Sequence, residues 1–314
     1  MSCSSINRNS TNNISTNNIS TMLLNKRISI WYFISLIKYQ ILLIMFFAVF
    51  IGFLDSMSEL KDITLPLSIP SLIGTVLSLL LAFRTSQSYE RWWEARIIWG
   101  AIVNDSRTLI RQLIHFMPEG SETEVKDFAN RQIIWTYALG ESLRRLPFSE
   151  KVCHYLDTHQ IEAINIPNAL LDLHMYQLRQ LVKKGQVSEF RQIQLDSTLA
   201  RLCESMGKCE RIKNTVFPRS YSMLLHVIIY VFAVLLPFGL DDSQLLIEII
   251  LTILFPTMFI AIEKTAILMQ DPFENSPVDT PMTTLAQTIE VNIGQMLHEK
   301  NLKIDRKDEL YYQM

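Results

Sequence analysis

Two stretches of the chain are long enough and apolar enough to cross a membrane. Residues 63–83 and residues 220–240 each run for 21 positions without a formal charge. A helix needs roughly 20 apolar residues to cross about 30 Å of hydrocarbon, because each residue adds about 1.5 Å. Both stretches therefore predict transmembrane helices.

Each of these stretches has an apolar neighbour of similar length that carries charge. Residues 28–54 contain Lys38, which lies near enough to one end for its ammonium group to reach the headgroups. Residues 243–262 contain Glu248 near their start and Pro256 past their middle. Four stretches in two pairs predict two transmembrane hairpins, and a large soluble helical protein is the alternative.

The region between the hairpins, residues 84–219, is polar and shows the apolar period of α-helices. No proline occurs from Arg84 to Met117, so the second transmembrane helix is expected to continue beyond the membrane as a stalk. Strand patterns are absent, and the predicted fold class is an all-α membrane protein. Further helices are predicted over residues 125–146, 150–158, 167–184 and 188–213.

Composition agrees with a membrane protein and excludes several other classes. The chain is 49% hydrophobic and 19% charged, against about 25% charged residues in soluble domains. A formal net charge of −2 argues against a dedicated nucleic-acid binder. The cysteines are too few and too irregularly spaced for a disulfide framework or a paired zinc motif, which favours a reduced cytosolic setting: Cys3, Cys153, Cys203 and Cys209.

Positive charges near the ends of the apolar stretches predict their orientation. One side of the predicted membrane carries Lys61 alone. The other side, which holds both termini and the middle region, carries Lys26, Arg27, Arg84, Arg91, Arg96, Arg201, Lys208, Arg211, Lys213, Arg219 and Lys264. The termini and the middle region are therefore expected in the cytoplasm, and the protein in the inner cell membrane.

These boundaries divide the chain into five segments. They are an N-terminal tail (1–27), a first hairpin (28–83), a cytosolic helical domain (84–219), a second hairpin (220–265) and a cytosolic C-terminal segment (266–314). The tail contains the sequence STNNI twice in tandem. Such a polar stretch predicts disorder, and a start codon placed too far upstream is the other explanation.

Signatures of catalysis are missing from the sequence. It contains no nucleophile elbow, phosphate-binding loop, dinucleotide-binding glycine motif or HExxH. The best candidate cluster is Cys153, His154 and Asp157, but His159 lies five residues beyond His154 and so on another helix face. A solvated helix end is the simpler interpretation. We expect no enzyme activity, no metal and no cofactor, with a membrane enzyme at this cluster as the alternative.

Two other polar features have a structural and a functional interpretation. Glu90 and Glu94 lie four residues apart beside Arg91 and Arg96, which predicts a lattice of ion pairs on the stalk rather than carboxylate chemistry. His226 lies inside the third apolar stretch, where polar side chains normally face protein or a cavity. It predicts either a structural hydrogen bond or a role in transport.

Three segments resemble the bacterial branch of the bestrophin family. They are GTVLSLLLAFRTSQSYERWWEARIIWG (74–100), CERIKNTVFPRSYSMLLH (209–226) and DPFENSPVDTPM (271–282). The first is similar to the family's second transmembrane helix where it enters the cytosol, and the others to the segments before the third span and after the fourth. The resemblance extends over most of residues 28–297.

The resemblance implies a homopentameric ion channel with its pore on the fivefold axis. It implies that Thr75, Leu79 and Phe83 form a narrow neck, and their four-residue spacing does place them on one helix face. Packing between helices is the alternative. Apolar rings can gate by dewetting, and Thr75 departs from the large apolar residue usual there, which predicts a wetter outer ring. A cytosolic aperture is implied at Leu170, or at the adjacent Leu171.

The resemblance also implies conduction of chloride and other monovalent anions, and two departures limit it. Calcium needs six to eight oxygen ligands, but the segment 271–282 offers only Glu274 and Asp279, so we expect no calcium site there. An acidic pore mouth would favour monovalent cations such as sodium, and the outer loops carry Asp55, Glu59, Asp62, Asp241 and Asp242 against Lys61. A non-conducting membrane scaffold is a second alternative.

Overall fold

The computed structural model describes residues 30–56, 65–215, 217–240 and 245–299. Within these ranges the chain forms helices and no strand, which confirms the predicted all-α class for this part of the chain. The α-helices are α1 Ile30–Ser56, α2 Ser68–Phe116, α3 Glu122–Leu143, α4 Glu150–Thr158, α5 Ile166–Lys183, α6 Glu189–Asn214, α7 Arg219–Leu235, α8 Leu245–Gln270 and α9 Met282–Met296, with a 3-10 turn at Pro237–Gly239.

Some of the predictions concern residues outside these ranges. The predicted N-terminal tail, residues 1–27, is one of them. Others are residues 300–314 of the predicted C-terminal segment and the outer-loop residues Glu59, Lys61, Asp62, Asp241 and Asp242.

The longest element is α2, a single helix of 49 residues that extends over about 74 Å at 1.5 Å per residue. Pro70 lies in its first turn, where a missing N–H removes no helical hydrogen bond. The helix ends because Pro118 disfavours the helical conformation at the residue before it, and Met117 is extended, with φ −75° and ψ 147°. The expected continuous helix from the second apolar stretch into the polar region is confirmed.

The helices of the polar region follow the predicted boundaries closely. Residues 150–158 were predicted as a helix and form α4, while α3, α5 and α6 differ from prediction by one to three residues at each end. A side-chain cap fixes one of these boundaries: α5 begins where the Asn165 side chain accepts a hydrogen bond from the Asn168 N–H at 3.1 Å. These helices pack around α2 in one core that includes the buried Trp99 and Trp135.

The sequence did not predict α9, which belongs to the same core. It packs against α3 and α2, and it buries Met282, Ile289 and Ile293. Gly140 allows the close approach of α3, because a Cβ added there would lie 3.3 Å from the Cβ of Met282. The segment after the fourth apolar stretch is thus partly a structural element of the polar domain.

A second apolar core joins α1, α7 and α8 to the first half of α2. Gly74 on α2 lets α7 approach closely, since a Cβ there would lie 3.1 Å from the ring of Phe232. The buried residues of this core are Ile37, Ile44, Leu77, Leu81, Leu225, Ile229, Phe232, Leu236 and Ile260. Both apolar pairs predicted from the sequence contribute to it.

Three of the described helices are long and apolar enough to span a membrane: α1, α2 and α8. Pro237 interrupts the third apolar stretch, so α7 has only 17 residues. A fourth span is reached only if α7 is counted together with α6, from which it is bent by 44°. The structure therefore contains three candidate spans, or four, and the two complete hairpins stay a prediction.

Candidate functional site

Thr75, Leu79 and Phe83 form an exposed row on the first half of α2. The exposed fractions of Leu79 and Phe83 are each 58%, whereas Leu77 on the opposite face is 0% exposed. Leu77 packs in the apolar core beside α7 and α8, so burial separates the two faces of the helix. One subunit leaves the row uncovered, and its side chains are free for a pore or for contact with another subunit.

The hydroxyl of Thr75 is already engaged within its own helix. Its Oγ1 donates a hydrogen bond to the backbone oxygen of Ser71 at 2.8 Å. A hydroxyl whose proton is used in this way offers only oxygen lone pairs to a passing ion. The outer position of the row is thus polar, and the Thr75 oxygen can still accept a hydrogen bond or contact a cation.

The exposed row continues towards the polar domain. Ser86, Glu90 and Ile97 are also exposed, and their spacing keeps them on the same side of α2 as Phe83. Among the described residues, Glu90 has no ion-pair partner. Of the residues expected to form ion pairs on the stalk, Glu94 pairs with Arg211 of α6 at 2.9 Å and Arg91 with Asp271 at 3.8 Å, so these pairs join α2 to other segments.

Arg91 and Trp92 tie α2 to two loops. Arg91 donates hydrogen bonds to the backbone oxygens of Ile212 and Thr215 at the end of α6. The indole Nε1 of Trp92 donates to the backbone oxygen of Val278 at 2.7 Å. These residues of the first resembling segment therefore act as structural links between segments that are distant in sequence.

Arg84 makes the inner end of the row rigid. It directly follows Phe83 and is only 1% exposed. Its terminal nitrogens donate to Ser222 Oγ of α7 at 2.8 Å and to Gln270 Oε1 of α8 at 2.9 Å, and its guanidinium lies 4.3 Å from the ring centroid of Phe217. One side chain thus connects the candidate pore helix to two neighbours.

The segment 271–282 is held together by the carboxylate of Asp279. Oxygen Oδ2 accepts hydrogen bonds from the N–H groups of Glu274 at 2.6 Å and Ser276 at 3.0 Å, and Oδ1 accepts from the Ser276 hydroxyl. Burial raises the pKa of Asp279, against the opposing effect of these hydrogen bonds. Lys213 pairs with Glu274 at 2.7 Å. Both candidate calcium ligands are therefore already occupied by protein groups.

Leu170 and Leu171 do not fit the aperture that the resemblance implies. Both side chains are buried in the core of the polar domain, and Leu170 is fully buried. A side chain that narrows an opening between subunits has to be exposed on each subunit. Exposed apolar side chains, Phe190 and Ile193, lie at the start of α6, which follows the opposite end of α5 from Leu170.

The candidate cluster near α4 does not form a metal site. Cys153, His154 and Asp157 are all exposed, and the Cys153 thiol faces the Phe148 backbone oxygen at 3.5 Å. Across the described ranges, no group of three His, Cys, Asp or Glu side chains is placed to hold a metal ion.

His226 has two partners, one of which sequence reasoning missed. Its Nδ1 lies 2.9 Å from the backbone oxygen of Ser222, and its Nε2 lies 3.2 Å from Glu263 Oε2. Glu263 was overlooked because it directly follows the apolar stretch 243–262. The position of this carboxylate next to an apolar stretch could have indicated Glu263 as a candidate functional residue.

Comparison with known proteins agrees with these features. The sequence profile of the family described as "Bacterial/Fungal Bestrophin protein" matches residues 17–295. The chain is 28% identical over 295 residues to the voltage-dependent anion channel-forming protein YneE of Escherichia coli strain K12, covering 92% of this chain and 96% of that protein. It is 30% identical over 237 residues to the voltage-dependent anion channel-forming protein RSc3414 of Ralstonia nicotianae, covering 74% and 78%.

The fold is also similar to that of a solved relative. A crystal structure of a bacterial bestrophin homologue from Klebsiella pneumoniae has a TM-score of 0.78 and 26% sequence identity, and the match covers 84% of this chain and 100% of that one. The apolar helices, the polar helical domain and the profile match over most of the chain lead to one conclusion. This membrane protein belongs to the bestrophin family.

Proposed function

We propose that this chain is one subunit of a homopentameric channel that conducts small monovalent anions, such as chloride, passively across the inner cell membrane. The exposed row of Thr75, Leu79 and Phe83 supports this proposal most strongly. A single subunit contributes one row, so a pore needs a ring of subunits. The relatives named as anion channel-forming proteins support the choice of anion.

In the proposed pore, Leu79 and Phe83 form stacked apolar rings. An ion that passes such a ring loses hydration water and gains no ligand, so the rings oppose conduction until they widen or become wet. Arg84 holds the inner ring by its bonds to α7 and α8. We leave Leu170 and Leu171 out of the proposed path, since neither is exposed on the subunit.

A channel for monovalent cations is the second candidate, and two observations favour it. Glu90 is exposed on the row's side of α2 and lacks an ion-pair partner among the described residues, so a ring of subunits would place a carboxylate ring below the neck. The Thr75 hydroxyl donates a hydrogen bond to the Ser71 backbone oxygen, which leaves lone pairs that suit a cation. An acidic ring raises the local cation concentration.

The reversal potential of purified protein in planar bilayers tests the proposal. Across a potassium chloride gradient, the sign of the reversal potential shows whether the anion or the cation is more permeant. Our proposal requires the sign expected for a chloride-permeable channel. The opposite sign would establish the cation candidate. An assembled protein that passes no current would favour a membrane scaffold. Native mass measurement in detergent should give five subunits, and a stable monomer or dimer would contradict the channel.

Glu90→Gln tests the candidate acidic ring. Removing the charge should move the reversal potential towards that of a more anion-permeable channel, because the local excess of cations is lost. Glu150→Gln is the matched control, since Glu150 is also exposed but lies at the start of α4. If both variants keep the wild-type reversal potential, Glu90 does not face the ion path.

A further inference from the structure

A cluster of ionisable side chains lies beside the inner end of the candidate pore helix, and the proposed conduction path does not use it. It consists of His226 on α7, Glu263 on α8 and Arg84 on α2. The Glu263 side chain is 2% exposed, whereas that of His226 is 47% exposed. His226 lies seven residues after the start of α7 at Arg219, or about 10 Å along the helix at 1.5 Å per residue.

Both ring nitrogens of His226 face hydrogen-bond acceptors. Nδ1 lies 2.9 Å from the Ser222 backbone oxygen, and Nε2 lies 3.2 Å from Glu263 Oε2. A neutral imidazole has one donor nitrogen and one acceptor nitrogen. When Nδ1 donates to the Ser222 oxygen, a further proton is needed between the ring and the carboxylate, because Nε2 and Oε2 would otherwise oppose each other as two acceptors.

Two buried atoms of the cluster lack a partner in this arrangement. They are Nε of Arg84, a donor, and Oε1 of Glu263, an acceptor. The terminal nitrogens of Arg84 are used by Ser222 and Gln270. A direct bond between Arg84 and Glu263 would satisfy both free atoms. A second arrangement, in which Glu263 bonds to Arg84 instead of His226, would differ from the observed one by one proton.

The charged groups that act on Glu263 are few in the described part of the chain. They are His226 from α7, Arg84 from α2 and Lys264 from α8 itself. Arg84 is in turn acted on by Tyr221 and Asp271 as well as by Glu263. The hydroxyl of Tyr221 donates to the Leu80 backbone oxygen. On α1, which also packs against α8, Lys38 and Tyr39 are exposed.

We infer that His226 and Glu263 form a proton-binding site that regulates the channel, and that Arg84 couples this site to the inner end of the neck. This inference rests on the proposed function. With the proton bound, Glu263 stays with His226, and Arg84 stays anchored to α7 and α8. Loss of the proton frees Glu263 to draw the Arg84 guanidinium away from Ser222 and Gln270, which weakens those anchors and loosens the helix end that carries Phe83. Alkaline pH therefore raises the open probability.

Nitrogen-15 NMR of histidine-labelled protein in bilayers tests proton binding without any current. The signals of His226 are identified by their absence from His226→Gln. In the wild type they should change as the pH is raised and the proton shared with Glu263 is lost. In Glu263→Gln the amide can donate to Nε2 without a shared proton, so this change of the signals should be absent. Identical titration of His226 in both proteins would overturn the proton site.

Single-channel recording tests the coupling. Open probability of the wild type should rise about fivefold from about pH 6 to about pH 8, the lower end of typical coupling between two sites. His226→Gln should show no such rise. His154→Gln, a change of an exposed histidine on α4, should keep it. Arg84→Lys should lose the rise but keep the NMR titration of His226, since one ammonium group cannot replace three donor nitrogens.

The outcomes separate this inference from the proposed function. Assembled protein without current contradicts the channel but leaves the NMR test of the proton site standing. If the channel conducts but its open probability does not depend on pH, the inference is overturned and the proposed function stands. The same holds if the rise in open probability persists in His226→Gln. A fall in open probability at alkaline pH overturns the assigned coupling through Arg84.

Discussion

Leu79 and Leu77 are the same residue type two positions apart on one helix, yet they face different surroundings. Leu79 is 58% exposed on the candidate pore row, and Leu77 is fully buried. We expect Leu79→Ala to raise single-channel conductance, because it removes apolar surface that resists wetting. Phe83→Ala should act in the same direction, and Thr75→Ala should have a smaller effect because Thr75 is already small.

Leu77→Ala is the matched control for this prediction. It should leave conductance unchanged and lower the free energy of unfolding by about 2–5 kcal/mol, the usual cost of a cavity in a packed core. Thermal unfolding in detergent, recorded beside the single-channel measurements, distinguishes the two effects. A loss of stability without a gain of conductance in Leu79→Ala would mean that Leu79 is a packing residue.

The burial of the His174 imidazole predicts how the stability of the polar domain depends on pH. It is completely buried on α5 and stacks on Phe128. Burial, and secondarily the positive charge of Arg131, hold the pKa of His174 well below its ordinary value. The folded state therefore keeps the ring neutral, while the unfolded chain takes up a proton below about pH 6.5. Stability is present above that pH and falls as the pH is lowered.

The loss should amount to at most about 1.4 kcal/mol per pH unit, the value for one proton bound only by the unfolded state. His174→Leu should reduce the drop in unfolding midpoint between about pH 7 and pH 5. His154→Leu should not, since His154 is exposed. Equal drops in the wild type and both variants would show that His174 contributes nothing to acid sensitivity.

At the scale of an element, the loop between α8 and α9 is stabilised by hydrogen bonds to Asp279. Because protein donors already use its carboxylate oxygens, chelation of calcium should leave the wild-type conductance nearly unchanged. Asp279→Ala should lower the free energy of unfolding by about 1–3 kcal/mol, the cost of leaving buried N–H groups unpaired. This cost should be the same with and without calcium.

Bilayer recordings and thermal unfolding, each with and without a chelator, check this prediction. Glu274→Gln provides the comparison, because it removes the exposed carboxylate that pairs with Lys213 and leaves the hydrogen bonds to Asp279 in place. A steep loss of wild-type current on chelation would show that a cation does hold this loop.

At the scale of the whole molecule, three cysteines report which side of the membrane the polar domain occupies. Cys153 and Cys203 are exposed and Cys209 is buried. Burial raises the pKa of the Cys209 thiol, which suppresses its reactive thiolate. In a Cys3→Ser background, an impermeant maleimide should label Cys153 and Cys203 in inverted membrane vesicles but not in intact cells. Cys209 should stay unlabelled in both.

Ser58→Cys is the control for the opposite side, since residue 58 lies in the predicted outer loop. It should react in intact cells. Labelling of Cys153 from outside intact cells would reverse the orientation inferred from the positive charges.

The sequence alone determined the helical class, the continuous α2 and most helix boundaries, because apolar period, proline positions and capping residues act over a few neighbouring residues. It also placed Thr75, Leu79 and Phe83 on one face, since helical spacing decides which residues share a side. The same local logic could not tell an exposed leucine from a buried one. Leu79 and Leu170 look alike in sequence, but one is exposed and the other lies in the core.

Only the tertiary structure decided the contacts between distant segments. Arg84 is 138 residues from Ser222 and 186 from Gln270 in the sequence. No local sequence pattern predicts either partner. The incorporation of α9 into the core and the pairing of His226 with Glu263 depend likewise on how whole helices pack. Such contacts form because helices bury their apolar faces together, and the polar groups brought inside must then find partners wherever packing has placed them.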